Sequence, residues 1–288
     1  MRTKLHSNFV CLAAAIFALP LSARAELPPL RESPAATVSL DIGATTVKIE
    51  YHRPGVKGRE IWGKLVPYGE VWRTGANEAT TITFDDAVKV EGKDIAKGTY
   101  AFFAIPTKDK WTLILSKQAK IWGSFDYKQA EDVARFDVKP EAAPMTEWMA
   151  YDITPTSDHA ARIDLSWEKL RVPMNVEVDV NGTYKKRVLD SVAAAKADDP
   201  NSAGTFMQAA QYWNQQDLDP KQALAWIDQS IKLKETFRAL EIKGNILHKM
   251  GRGKEAVAAM ERALVVAKGV APGPFFDRVK KTMDGWKK

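Results

Sequence analysis

The feature that most constrains this chain is a change of period at Asn181-Gly182. Before that point, short runs rich in Val, Ile, Thr, Phe, Tyr and Trp alternate with turns. After it, Ala, Lys, Gln and Leu dominate and the apolar spacing becomes helical. Strand side chains alternate with period 2 and helical ones with period 3.6, so the two halves bury their apolar residues by different geometries. The strands are expected at 45–51, 79–84, 99–105, 111–115, 133–138, 148–153, 161–167 and 172–180. In Arg162-Ile163-Asp164-Leu165-Ser166-Trp167 one face carries Ile163, Leu165 and Trp167. Asp109-Lys110 marks a hairpin, and one short helical insert is expected at 127–132. Short strands without intervening helices imply an antiparallel β-sandwich or barrel. The fold class is therefore α+β in two domains, a β-sandwich over 26–180 and an all-α helical module over 181–288.

The helical half repeats itself. Ala223, Ile227 and Ser230 recur 33 positions later as Ala256, Met260 and Ala263, with Gly244 and Leu247 between them. Over 202–268 this resembles two degenerate tetratricopeptide repeats. Lys243 stands where that pattern expects leucine, and a plain helical bundle is the alternative. Helices near 184–197 and 275–286 are expected as caps. A module of this kind offers a surface to a protein partner or peptide and carries no chemistry of its own.

Residues 1–25 read as a secretory signal peptide. Arg2 and Lys4 precede an apolar run, Phe9 to Leu21, and Ala23-Arg24-Ala25 supplies a small-residue cleavage site before Glu26. The expected location is periplasmic or secreted, with no stable membrane anchor. Cleavage would remove Cys11, the only cysteine, leaving no disulfide or thiolate site. Residues 26–180 carry 20 Lys and Arg against 24 Asp and Glu, a net of −4, whereas 181–288 carry 19 against 12, a net of +7. No basic cluster accompanies a nucleic-acid motif, so nucleic acid is not an expected partner.

The stretch from His52 to Glu78 holds the residues that draw attention. It is a long connection with five glycines and two prolines, too aromatic at Trp62, Tyr68 and Trp72 to be left loose in water. Arg53, Lys57, Arg59 and Arg73 could grip a carboxylate or phosphate, with Asn77 and Glu78 beside them. The candidate ligand-binding set is therefore Arg53, Lys57, Arg59, Trp62, Tyr68, Trp72, Arg73, Asn77 and Glu78. The motifs Arg53-Pro54-Gly55-Val56-Lys57-Gly58-Arg59, Leu65-Val66-Pro67-Tyr68-Gly69 and Val71-Trp72-Arg73-Thr74-Gly75-Ala76-Asn77-Glu78-Ala79-Thr80 resemble an exported bacterial domain-of-unknown-function family, number 2911. Gly98-Thr99-Tyr100-Ala101, Trp111-Thr112 and Trp167-Glu168-Lys169 fit it as well, so the resemblance covers about 33–180. It implies a helical tail after the domain but no activity, ligand or catalytic residue.

Other chemistries find little support. His52, His159 and His248 are scattered, so neither a metal site nor a cofactor is expected. There is no Gly-x-Ser-x-Gly elbow and no phosphate-binding glycine motif in a strand-to-helix context. The favoured expectation is a binding module for a small polar or anionic ligand, or a cell-envelope component. The alternative is a hydrolase of envelope glycans that draws a carboxylate pair from Glu60, Glu70 and Glu78.

Overall fold

In chain order the strands are β1 (Ala35–Ile42), β2 (Thr45–His52), β3 (Thr81–Phe84), β4 (Val88–Val90) and β5 (Lys93–Ile95), then β6 (Gly98–Pro106), β7 (Trp111–Ser116), β8 (Asp132–Val138), β9 (Glu141–Ser157) and β10 (Ala160–Val178). This is a computed structural model that describes residues 30–270 and 273–286. The expected signal peptide, its cleavage site and Cys11 lie outside the described residues. Two antiparallel sheets form, one in the order β1-β2-β3-β6-β7-β8 and one in the order β5-β4-β10-β9.

Alternation builds the core. Val47, Ile49 and Tyr51 of β2, Tyr100 and Phe102 of β6 and Leu113 and Leu115 of β7 share one cluster with Ile163, Leu165, Trp167, Met174 and Val176 of β10. Each such side chain taken from water contributes roughly 1.5–3 kcal/mol. The six-stranded sheet also buries its other face. Ala101, Phe103 and Ile114 pack with Ala79 beneath Ile121 and Tyr127. That second burial explains why β6 and β7 read as nearly continuous apolar runs rather than clean alternations.

The observed strands depart from the expected set in more than one way: β1 has no counterpart in it, and β9 covers 141–157 rather than 148–153. The segments 161–167 and 172–180 belong to one strand, β10, whose pairing with β9 shifts on both sides of Glu168. Glu168 has φ 54°, so a bulge bends the strand where the sequence seemed to break it. The strand stops at Val178, because the Asp179 carboxylate accepts a hydrogen bond from the Gly182 N–H and caps the first helix. The tiny β4–β5 hairpin, too short to show a period, is set by Glu91 (φ 46°) and Gly92 (φ 77°), the two left-handed residues of a type I′ turn. The short helical insert is a single 3-10 turn, Gln129–Glu131.

Among the described residues six α-helices follow: α1 (Val180–Ala194), α2 (Ala203–Gln215), α3 (Pro220–Leu233), α4 (Phe237–Lys249), α5 (Gly253–Ala267) and α6 (Gly273–Trp286). The repeated positions all face inward. Ala223, Ile227, Ser230, Ala256, Met260 and Ala263 are buried, and Ser230 donates to the Ala203 carbonyl at 2.8 Å. A Cβ on Gly244 would stand 2.9 Å from Met260 Cγ and 3.2 Å from the Ala256 carbonyl, so α4 and α5 meet at a distance only glycine permits. Lys243 is half-buried and pairs with Asp228 at 2.7 Å. Arg187 of α1 bonds Asp86 of the β3–β4 turn, and Thr45 donates to the same carboxylate. No described helix is long and apolar enough to cross a membrane.

Candidate functional site

The connection from β2 to β3 is folded along its length because each piece finds a partner. Residues 54–57 run beside β9: Met149 N–H donates to Pro54 at 3.0 Å, and Val56 N–H to Glu147 at 2.8 Å. The Glu147 carboxylate accepts from the Lys57 N–H. Trp72 exchanges two backbone hydrogen bonds with Ala104 of β6, at 2.8 and 2.9 Å, and Gly69 donates to Pro106. The segment 77–79 is bonded to 121–123, the chain that covers the outer face of the large sheet.

Its tryptophans belong to the core. Trp62 packs edge-on against Trp72, Trp111 and Trp167, at centroid distances of 5.9, 5.0 and 5.7 Å, and Trp72 stacks on Trp167. Val56, Ile61 and Val66 join the same cluster, so the loop closes the sandwich. Edge-to-face pairs of this kind contribute roughly 0.5–1.5 kcal/mol beyond their area.

The turn from Arg73 to Thr80 is the strained part. Thr74 is β-branched yet sits at φ 50°, and Asn77 at φ 58°, conformations that cost of order 1–3 kcal/mol unless the surroundings impose them. Here they do. Thr74 Oγ1 donates to Phe102 at 2.7 Å, while the Thr74 carbonyl accepts from Thr80 Oγ1 and from the Tyr151 hydroxyl, each at 3.0 Å. Complete burial pushes the Tyr151 phenol far up, so it remains a donor. A Cβ on Gly75 would meet Thr80 Oγ1 at 2.7 Å, which leaves glycine as the residue that fits.

The candidate residues thus separate by role. Arg53 donates to the carbonyls of Met149 and Trp148, and Arg59 to those of Val56 and Gly55. Both guanidinium groups hold the loop in shape. Trp62 and Trp72 are accounted for by packing, Lys57 and Tyr68 lie on the exposed side, and Asn77 donates to Ser33. Glu78 lies 3.5 Å from His52 Nδ1. Glu60 and Glu70 are exposed and make no ion pair among the described residues. Arg73 differs from Arg53 and Arg59. It is half-buried, and its Nε is closed to water with no hydrogen-bond partner among the described residues. Burial pulls its guanidinium below the ordinary value, and no acid opposes that shift.

Of the cavities among the described residues, two bring together polar groups that the sequence reading does not connect. One, of about 750 Å³, is lined by Lys89, Asp94, His159, Glu177 and Asp179 over Val88 and Val178. The other, of about 270 Å³, is a polar groove across α2, α4 and α6, with Asn214, Arg238, Glu241, Asn245 and Arg278. Both assemble residues far apart in sequence, which no local pattern signals. Among the described residues no group of three His, Cys, Asp or Glu could hold a metal ion.

No curated protein and no solved structure matches this chain. The model of a family described as proteins of unknown function, DUF2911, matches residues 33–176, a span that takes in both sheets and the whole 53–80 connection, and the chain belongs to that family.

Proposed function

We propose that the β-domain is a binding module for a small anion, a carboxylate or a phosphate, held at Arg73. The observation that carries this reading is a half-buried guanidinium that makes no salt bridge among the described residues and whose Nε, closed to water, has no hydrogen-bond partner there. A buried cation is normally paired, because desolvating it alone is costly. A ligand that supplied the missing charge would relieve that cost, and a planar fork suits an oxyanion. The rigid turn at Thr74 supports the reading, since it fixes where the guanidinium stands before anything binds. The same proposal has the chain exported, with residues 1–25 as its signal. It treats the helical half as a repeat-like module whose groove at Asn214, Arg238 and Asn245 receives a peptide.

The test is thermal unfolding in rising concentrations of inorganic phosphate and of citrate, for the parent chain and for Arg73→Gln. The expected result is a concentration-dependent rise in Tm for the parent. In Arg73→Gln the rise should vanish while stability without ligand stays within about 1 kcal/mol. If neither anion moves Tm, or if the rise persists in Arg73→Gln, the reading fails.

A further inference from the structure

The segment 117–128 lies over the outer face of the large sheet and has an inward and an outward side. Ile121 and Tyr127 pack down onto Phe103 and Ile114. Trp122 and Phe125 go the other way, 53% and 86% exposed. The exposure is not slack. The Gln118 side chain donates to the Asp126 carbonyl at 2.9 Å and accepts from the Lys128 N–H at 2.7 Å, clamping both ends of the loop. Tyr127 N–H closes the tip onto Ser124, and Gly123 N–H bonds Asn77. A held loop that presents a phenylalanine almost wholly to water keeps apolar surface where folding gains nothing from it.

The charges around the tip indicate what would cover it. Lys117, Lys120 and Lys128 are exposed, against Asp126 within the loop and Glu131 just beyond its foot. Indole and phenyl rings flanked by lysines suit the boundary of a lipid bilayer, where the rings enter the headgroup layer and the ammonium groups meet anionic phosphates. A protein partner would more commonly offer a pocket and a larger flat contact. We infer that the 117–128 loop is a surface anchor that seats Trp122 and Phe125 in an anionic membrane. This inference is independent of the Arg73 site, which the test leaves intact.

The experiment uses the full chain with Cys11→Ser and Phe125→Cys, carrying a polarity-sensitive fluorophore on the new thiol. Vesicles of equimolar phosphatidylglycerol and phosphatidylcholine should shift the emission to the blue, whereas pure phosphatidylcholine should shift it little. In co-sedimentation, Phe125→Ser combined with Trp122→Ser should lose at least tenfold in partition to the anionic vesicles, with an unchanged melt. An emission that ignores anionic vesicles overturns the inference. So does a double variant that still sediments like the parent, since contact would then lie elsewhere, the apolar run 9–21 included. Self-association abolished by Phe125→Ser, without any response to vesicles, would assign the tip to a second copy of the chain and equally overturn it.

Discussion

Tyr127, Asp132 and Arg135 form a closed set at the foot of the outer-face loop. Tyr127 and Arg135 Nε each donate to Asp132 Oδ2 at 2.7 Å, and Arg135 Nη2 donates to the Tyr127 oxygen at 2.6 Å. Burial first, and then the bond to Asp132, push the Tyr127 phenol from 10.0 up to about 12, against the pull of Arg135. A raised phenol keeps its proton in the fold where the unfolded chain would lose it. Its contribution is therefore complete below pH 10 and declines as pH rises towards about 12. Tyr127→Phe should cost about 1 kcal/mol at neutral pH through the lost bonds. It should then show a shallower decline than the parent between those two pH values, as urea midpoints taken across that range would reveal. An equal decline in both chains would remove Tyr127 from the pH dependence. This triad was invisible in the sequence reading, where 127–132 stood only as a short helical insert.

Among the elements, the pair α4 and α5 depends most plainly on one residue. Gly244→Val would drive side-chain carbons into Met260 and the Ala256 carbonyl. Overpacking of this sort should cost about 2 kcal/mol, read as a lower denaturation midpoint with helical content retained at low temperature. Gly204, near the start of α2, has nothing within 4 Å of its Cβ position. Gly204→Ala should be neutral or raise stability by up to about 1 kcal/mol. A glycine that matters and one that does not look alike in a helical sequence. Repeat spacing marks Gly244 as a place needing a small residue, and the facing helix supplies the reason. The 53–80 connection shows the opposite limit. Its aromatics and glycines announced an ordered loop, but nothing local says that Trp62 and Trp72 face Trp111 and Trp167, because those partners lie on distant strands.

At the scale of the whole molecule, the β-core draws its residues from 36–180 and the helical cores from 188–286, with no residue shared. The halves nevertheless group as one compact unit from Ser33 onward, linked by Arg187 with Asp86 and by Val180, the first residue of α1, packed against the β-core. A surface ion pair of this kind contributes about 0–1 kcal/mol, so the separate cores should dominate. A fragment of residues 33–180 is expected to melt cooperatively with a β-type circular dichroism spectrum. An aggregated or molten fragment would show that the helices complete the sandwich.

Local pattern by itself determined the class of each half, the inward face of β10 at Ile163, Leu165 and Trp167, and the burial of Ala223, Ile227, Ser230, Ala256, Met260 and Ala263. These follow from period and residue size, which neighbours in sequence carry. Tertiary structure alone decided that 161–178 is one bent strand and that the outer face of the large sheet is also buried. It likewise decided that Arg53 and Arg59 bind backbone carbonyls while the Arg73 Nε is buried without a partner among the described residues. Each of these depends on what stands across a gap from residues remote in the chain, and the desolvation of a guanidinium is set by those neighbours rather than by the residues beside it in sequence.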